Sequence, residues 1–364
     1  MTEAPAKQAL RPRTAVERMH EYHPPLAGRE GLRLDFNENT LAPSPRVQAV
    51  LRRVAAASLT RYPEREPVER IVADHFRLQP EAVLLTNGVD EALHLACETY
   101  LEPDDEVIVV TPTFSMYRLY AEMTGAAVHS VQAKPDLQFP YDDLRAAIGA
   151  RTRLIMLASP NNPTGAVADS DFLLEIAAAH PQTALLVDEA YIHFHGDSVL
   201  AHTAAYENLI VARTFSKAYG LAGLRIGLLA THPQTMRFIR KVSSPYNVNS
   251  IALECLPDAL ADEDYIRWYA DQVAQSLALA QQILCRIGVS FYPSHANFVL
   301  MRIGTRHREL VEAMRQRGVL VRDRSSDAGC AGCVRITLGT VEHTRAGLAA
   351  LEASLKEIAW QPNM

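Results

Sequence analysis

Long apolar runs are missing from this sequence. The most apolar clusters, around Val107–Val110 and Leu154–Ala158, are strand-sized, well short of the roughly 20 residues a membrane helix requires. No segment is expected to span a bilayer. Basic charge is scarce too: 36 Lys and Arg stand against 42 Asp and Glu, a net charge of -6, with no cluster of cations. Phosphate-backbone binding has nothing to drive it, so nucleic acid is not an expected partner. Cysteine is rare and odd in number, 5 in 364 residues, which excludes a disulfide framework. The single Cys330-Ala331-Gly332-Cys333 has no second pair to complete four metal ligands and reads as two thiols in a Gly-rich loop. His193, His195 and His295 lack metal-ligand spacing with a carboxylate, so no metal is expected. The N-terminus mixes Glu3, Lys7, Arg11, Arg13 and Glu17 with prolines, unlike the apolar centre of a signal peptide or an acid-free transit sequence. A cytoplasmic address is the expectation.

What is present is a globular composition. Hydrophobic residues at 48% and charged residues at 21% exclude disorder, collagen-like repeats and coiled-coil rods. Between residues 81 and 230 short apolar runs alternate with helix-like segments: AVLLT, EVIVV, AAVHSV, RLIMLA, TALLVD, NLIVA and RIGLLA read as seven strands. Near-continuous apolar strands are those buried on both faces of a mainly parallel sheet. Helices are expected at Asp90–Tyr100 and Asp169–His180, the latter with Phe172, Leu173, Ile176 and Ala177 on one face. After about Ser250 the rhythm changes to a long helix from Asp262 to Arg286, strands at Asn297–Met301, Val319–Val321 and Val334–Leu338, and helices at His307–Arg317 and His343–Ile358. The fold class is therefore α/β, with a smaller α+β unit. We expect a large domain over 35–250, and a small domain over 251–364 on which an arm, 1–34, lies.

Four strand ends carry the chemistry. A lysine, Lys217, follows NLIVA within Thr214-Phe215-Ser216-Lys217-Ala218-Tyr219-Gly220, flanked by hydroxyls, where a turn can aim its amine into a pocket. The strand ending at Val187 runs into Asp188-Glu189-Ala190-Tyr191, an acid and a phenol at the carboxyl edge where open α/β sheets bind ligands. RLIMLA ends in Asn161-Asn162-Pro163-Thr164-Gly165, which presents an amide at the same edge. Thr86-Asn87-Gly88-Val89-Asp90 is a glycine turn into a helix N-terminus, whose free N–H groups suit a phosphate.

These motifs, NNPTG, DEAY and TFSKAYGLAGLRIG in this order, resemble the fold-type I pyridoxal-phosphate aminotransferases across nearly the whole chain. Within that group Asp35-Phe36-Asn37-Glu38-Asn39, Arg61-Tyr62-Pro63, Pro112–Tyr117, Val321-Arg322-Asp323-Arg324 and Val334–Thr340 are most similar to the histidinol-phosphate aminotransferases. The resemblance implies pyridoxal phosphate as cofactor and Lys217 as its Schiff-base lysine, which also moves the substrate Cα proton. It implies Asp188 opposite the pyridinium nitrogen, Tyr191 and Asn162 on the ring hydroxyl, and Phe114, where many relatives carry tyrosine, stacked on the ring. Gly88, Val89 and Asp90 with Thr214, Ser216 and Arg225 would take the phosphate. Tyr62 would reach the cofactor phosphate of a neighbouring subunit, which implies a homodimer. Arg335 and Arg322 match the substrate-anion arginines, with Asn162 beside them. Tyr22 resembles an N-terminal substrate contact, although Glu21-Tyr22-His23-Pro24-Pro25 departs from Tyr-x-Pro-Gly.

The activity implied is transamination between L-histidinol phosphate and 2-oxoglutarate, in histidine biosynthesis. The alternatives are an aromatic amino-acid aminotransferase or a threonine-phosphate decarboxylase of the same fold, which would share every cofactor residue. A non-catalytic ligand-sensing domain is disfavoured by intact Lys217 and Asp188 and by the absence of a basic DNA-binding module.

Overall fold

The computed structural model describes residues 10–21, 23 and 28–362. Strand β1 (Leu32–Arg33) leads into the seven strands expected from the apolar runs: β2 (Val83–Thr86), β3 (Glu106–Thr111), β4 (Ala127–Gln132), β5 (Thr152–Ala158), β6 (Ala184–Asp188), β7 (Leu209–Thr214) and β8 (Gly227–Thr231). They form one sheet in the order β2-β8-β7-β6-β5-β3-β4. Only β8 runs antiparallel to its neighbours, β2 and β7. The carboxyl ends of β2, β3, β5, β6 and β7 consequently share one edge.

Both faces of this sheet are covered. Along β5, Leu154 and Met156 pack with Val107, Val109, Leu186 and Ala212 beneath the helices Gly88–Tyr100 and Met116–Thr124. The alternate residues Ile155 and Leu157 join Val187, Phe172, Leu173 and Ile176 on the other face. A period of two with apolar residues at every position is what a doubly covered strand demands. The helix read at Asp169–His180 spans Ser170–Ala179, capped by Asp169 Oδ1, which accepts from Phe172 N at 3.0 Å.

The helix Ser250–Leu260 departs from the expected order, in which helical structure resumes only at Asp262. Asn249 caps it by accepting from Ala252 N at 2.8 Å, and Pro257 lies inside it. Its Ala252, Leu253 and Leu256 pack with Val83, Leu85 and Leu228 of the large sheet. Beyond it, the helix Glu263–Arg286 precedes β9 (Ser290–Tyr292), β10 (Phe298–Arg302), β11 (Val319–Leu320), β12 (Arg322–Asp323) and β13 (Cys333–Thr337). The strand expected over 319–321 stops at Leu320, and a second short strand that was not expected follows at Arg322–Asp323. β11 pairs in parallel with β1, while β12 joins the antiparallel sheet β12-β13-β10-β9. Leu34 enters the small core with Val299, Met301, Val334, Ile336, Leu348 and Leu351, so the segment leading from the arm is tied to this layer. Among the described residues no helix is long and apolar enough to cross a membrane.

Candidate active site

The strand ends converge beneath the segment Asp35–Asn37, which crosses from β1 over the edge of the large sheet. Lys217 lies in the turn after β7, half-buried, and its Nζ donates to the Phe36 carbonyl oxygen at 2.9 Å. Burial, then the charge of Arg335, pushes this amine down to about 8, which raises the fraction of neutral amine near physiological pH. Tyr191 is 5% exposed and accepts a hydrogen bond from Asn37 Nδ2 at 2.9 Å. The Asn37 Oδ1 in turn accepts from the Thr337 hydroxyl at 3.1 Å.

Asp188, the last residue of β6, is 4% exposed and has no cation in ion-pair contact among the described residues. Its Oδ2 accepts from the Tyr117 hydroxyl at 2.7 Å and its Oδ1 from Ala190 N at 2.9 Å. Burial pushes this carboxyl up to about 6, and those two donors oppose the rise. A buried acid held by donors yet lacking a cation is suited to receive a positively charged ligand nitrogen. Phe114 stands at the rim, half-buried and edge-on to Tyr117 with ring centroids 6.0 Å apart. The loop carrying it is tied to the turn after β5. Thr113 Oγ1 donates to Asn161 Oδ1 at 2.7 Å, and Asn161 Nδ2 donates to the Pro112 carbonyl at 2.8 Å.

The second strand end forms a cradle. Gly88, at φ +77°, opens the helix Gly88–Tyr100, which has no side-chain cap on its N-terminal N–H groups. A Cβ at Gly88 would lie 2.6 Å from Arg225 Nη2, so only glycine lets the guanidinium lie against the turn. Arg225 Nη2 donates to Asp90 Oδ2 at 2.7 Å, and Ser216 N donates to Thr214 Oγ1 at 3.1 Å. A forked cation, two hydroxyls and a helix N-terminus together suit a phosphate dianion.

Opposite the cradle, β12 and β13 pair so that Arg322 and Arg335 are directly across from one another. Arg335 is 4% exposed; Nη1 donates to Asn162 Oδ1, Nη2 donates to the Asp35 carbonyl at 2.7 Å, and Nε has no partner. Burial, then Arg324, presses Arg335 toward losing its proton. Arg324 is neutralised by Asp327, whereas Arg322 has neither hydrogen bond nor ion pair among the described residues and lies 5.2 Å over the Phe36 ring. Arg29 also lies over that ring, 4.2 Å from its centroid. Like charges facing across an antiparallel ladder oppose folding, and an anion between them reverses the sign.

Of the residues singled out in the sequence, the contacts above bring Lys217, Asp188, Tyr191, Asn162, Phe114, Arg335 and Arg322 toward the segment 35–37 and the ends of β5 and β6, with Gly88, Val89, Asp90, Thr214, Ser216 and Arg225 at the cradle. Tyr62 is not among them. It is 78% exposed and packed against Tyr246 with the rings tilted by 32° and centroids 4.4 Å apart. Tyr22 lies outside the described residues. Tyr117, Asn37 and Arg29 were not singled out, although Tyr117 and Asn37 stand inside motifs already noted; their roles depend on contacts made far along the chain.

The sequence profile of the aminotransferase class I and II family matches residues 29–351. A histidinol-phosphate aminotransferase of Symbiobacterium thermophilum is 37% identical over 95% of this chain and 99% of its own. Histidinol-phosphate aminotransferase 2 of Ralstonia nicotianae is 36% identical over 90% of this chain and 89% of its own. The fold is shared with the crystal structure of histidinol-phosphate aminotransferase from Sinorhizobium meliloti in complex with pyridoxal-5'-phosphate, at TM-score 0.87 and 24% identity, covering 97% of this chain and 99% of that one. With the convergent lysine, buried acid and phosphate cradle, this likeness over the whole chain leads to one conclusion: the chain belongs to the aminotransferase class I and II family.

Proposed function

We propose that this aminotransferase uses pyridoxal phosphate to move the amino group of L-histidinol phosphate to 2-oxoglutarate, giving imidazole-acetol phosphate and glutamate, a step of histidine biosynthesis. The cofactor reading is supported by fit. The Gly88 turn would be filled by a Cβ, the helix behind it is uncapped, and Asp188 is buried without a cation. Gly88, Val89, Asp90, Thr214, Ser216 and Arg225 would hold the phosphate, Phe114 the ring face, Asn162 and Tyr191 the ring hydroxyl, and Asp188 the ring nitrogen. When bound, the cofactor supplies a carbonyl carbon for the amino group and a ring that accepts the electron pair left at the substrate Cα.

The chain's own groups do the rest. Lys217, its amine pushed down to about 8 by burial and Arg335, would take the proton from the substrate Cα and return it to the carbon on the far side of the amino nitrogen. Asp188 would hold a negative charge against the ring nitrogen, and Asn37 aims the Tyr191 hydroxyl by donating to it at 2.9 Å. Arg335 and Arg322 bind the substrate's anionic end, phosphate in one half-reaction and carboxylate in the other. The observation that carries the substrate reading is the cross-strand pair of unneutralised arginines, taken with relatives named for histidinol phosphate.

A substrate panel on the purified protein tests it: glutamate with imidazole-acetol phosphate should far outpace glutamate with phenylpyruvate. Preference for phenylpyruvate, or CO2 release from threonine phosphate, would replace the substrate and leave the cofactor assignment standing.

The same reading makes the chain a cytoplasmic homodimer. Its five cysteines are free. Exposed Tyr62 borders a cleft of about 410 Å³ lined by Arg61, Pro63, Leu253 and Pro257, a shape suited to a second copy whose cofactor phosphate Tyr62 would reach. We also propose a division into a large unit and a small one, expected over 35–250 and over 1–34 with 251–364, with the boundary moved from 250 to the end of the helix Ser250–Leu260. The helix Ser250–Leu260 rests on the large core, so the crossing between units follows it.

A further inference from the structure

We propose that Tyr117 is a positioning residue for the reaction, its phenol O–H fixing the orientation and the negative charge of Asp188. Tyr117 is fully buried in the first turn of the helix Met116–Thr124. Its hydroxyl donates to Asp188 Oδ2 at 2.7 Å, the short range of a charge-assisted O–H···O⁻ bond. The phenol reaches no other side-chain partner among the described residues. Burial, then the Asp188 charge, pushes Tyr117 well above the ordinary range, so it remains a donor.

The opposing influences on Asp188 are strong. The carboxyl is 4% exposed, which favours the neutral acid. Asp90, from the helix Gly88–Tyr100, and Glu189, from its own turn, push the same way, and Tyr191 is the other titratable group beside it. Against these, among the described residues only Tyr117 and the Ala190 N–H hold the anion. They engage different oxygens, so together they lock the plane of the carboxylate as well as its charge. The backbone donor cannot be lost by substitution of a side chain, which leaves Tyr117 as the adjustable half of the clamp. Its edge-on contact with Phe114, centroids 6.0 Å apart, ties the acid below the ring site to the aromatic at its rim.

The proposal rests on the assignment of Asp188 above, and the decisive readout needs neither cofactor nor substrate. Infrared titration of the apoprotein follows the carboxylic C=O stretch of Asp188, identified by its absence in Asp188→Asn. In Tyr117→Phe, the loss of one hydrogen bond to a charged group should raise the midpoint by about one to two pH units. A fluorinated tyrosine placed at 117, a stronger donor, should lower it, and this decides the matter if Tyr117→Phe does not fold. In the cofactor-loaded enzyme, kcat of Tyr117→Phe should fall and recover with rising pH, with KM little changed. A midpoint unmoved by either replacement, or a moved midpoint with unchanged kcat at every pH, overturns the proposal. A changed substrate preference of the wild type would overturn only the substrate reading above, because the apoprotein midpoint does not depend on it.

Discussion

Replacing Arg335 isolates the substrate site from the cofactor site. Arg335 is 4% exposed, its guanidinium fixed by Asn162 Oδ1 and the Asp35 carbonyl, with Nε unpartnered. It therefore has donor capacity and charge to spare for an anion. A hydrogen bond to a charged group contributes about 1.5–3 kcal/mol, so Arg335→Lys, which keeps the charge and loses the fork, should lower kcat/KM for histidinol phosphate about ten- to a hundred-fold. Arg335→Ala should cost more, because Asn162 also loses its anchor. Arg322→Ala should lower kcat/KM in the same direction. Unlike Arg335→Ala, it should leave the apoprotein no less stable, because like charges directly across a ladder are destabilising by roughly 0.2–1 kcal/mol. The assay is steady-state glutamate formation, with pyridoxal phosphate titrated into the apoprotein as the control. Unchanged kcat/KM in both alanine variants, or a loss matched by an equal loss of cofactor affinity, would refute the separation of the two sites.

Two further outcomes follow from the same geometry. Gly88→Ala forces a side chain into the left-handed region at φ +77° and against Arg225 Nη2; chemical denaturation should show a loss of roughly 1–2 kcal/mol, and cofactor titration a weaker affinity, whereas an unaffected affinity would remove the cradle assignment. Lys217 titrates at about 8 in the fold against an ordinary value of 10.5. Between those values the unfolded chain binds more protons, so apoprotein stability rises with pH across that window, by at most about 1.4 kcal/mol per pH unit, and is lost as pH falls through the folded value. Thermal melts of Lys217→Met should lack that rise; the same slope in the variant would assign it to another group.

The large sheet was legible because each of its strands is an apolar run bounded by turn residues, and double burial leaves that signature in any order of assembly. The candidate cofactor motifs were legible as turns because they occupy strand ends, where local sequence dictates a turn. The helix Ser250–Leu260 was not, since Pro257 in its middle masks a segment whose real signals are the Asn249 cap and the apolar face on Val83 and Leu85. The opposition of Arg322 and Arg335 was invisible as geometry. It depends on the register of the two-residue strand β12, which the run at 319–321 concealed. Tyr117 was within reach of the motif Pro112–Tyr117, but its partner Asp188 is 71 residues away, and no local pattern reports a contact at that separation.

Lys217 is the amine at which this chain is proposed to engage its cofactor. Borohydride treatment of the purified, pyridoxal-phosphate-loaded protein followed by peptide mass spectrometry tests it most directly. A single irreversible adduct on Lys217, no turnover afterwards, and no adduct in Lys217→Met are the expected results. An adduct on Lys7, Lys134, Lys241 or Lys356, or full transaminase activity in Lys217→Met, would contradict it.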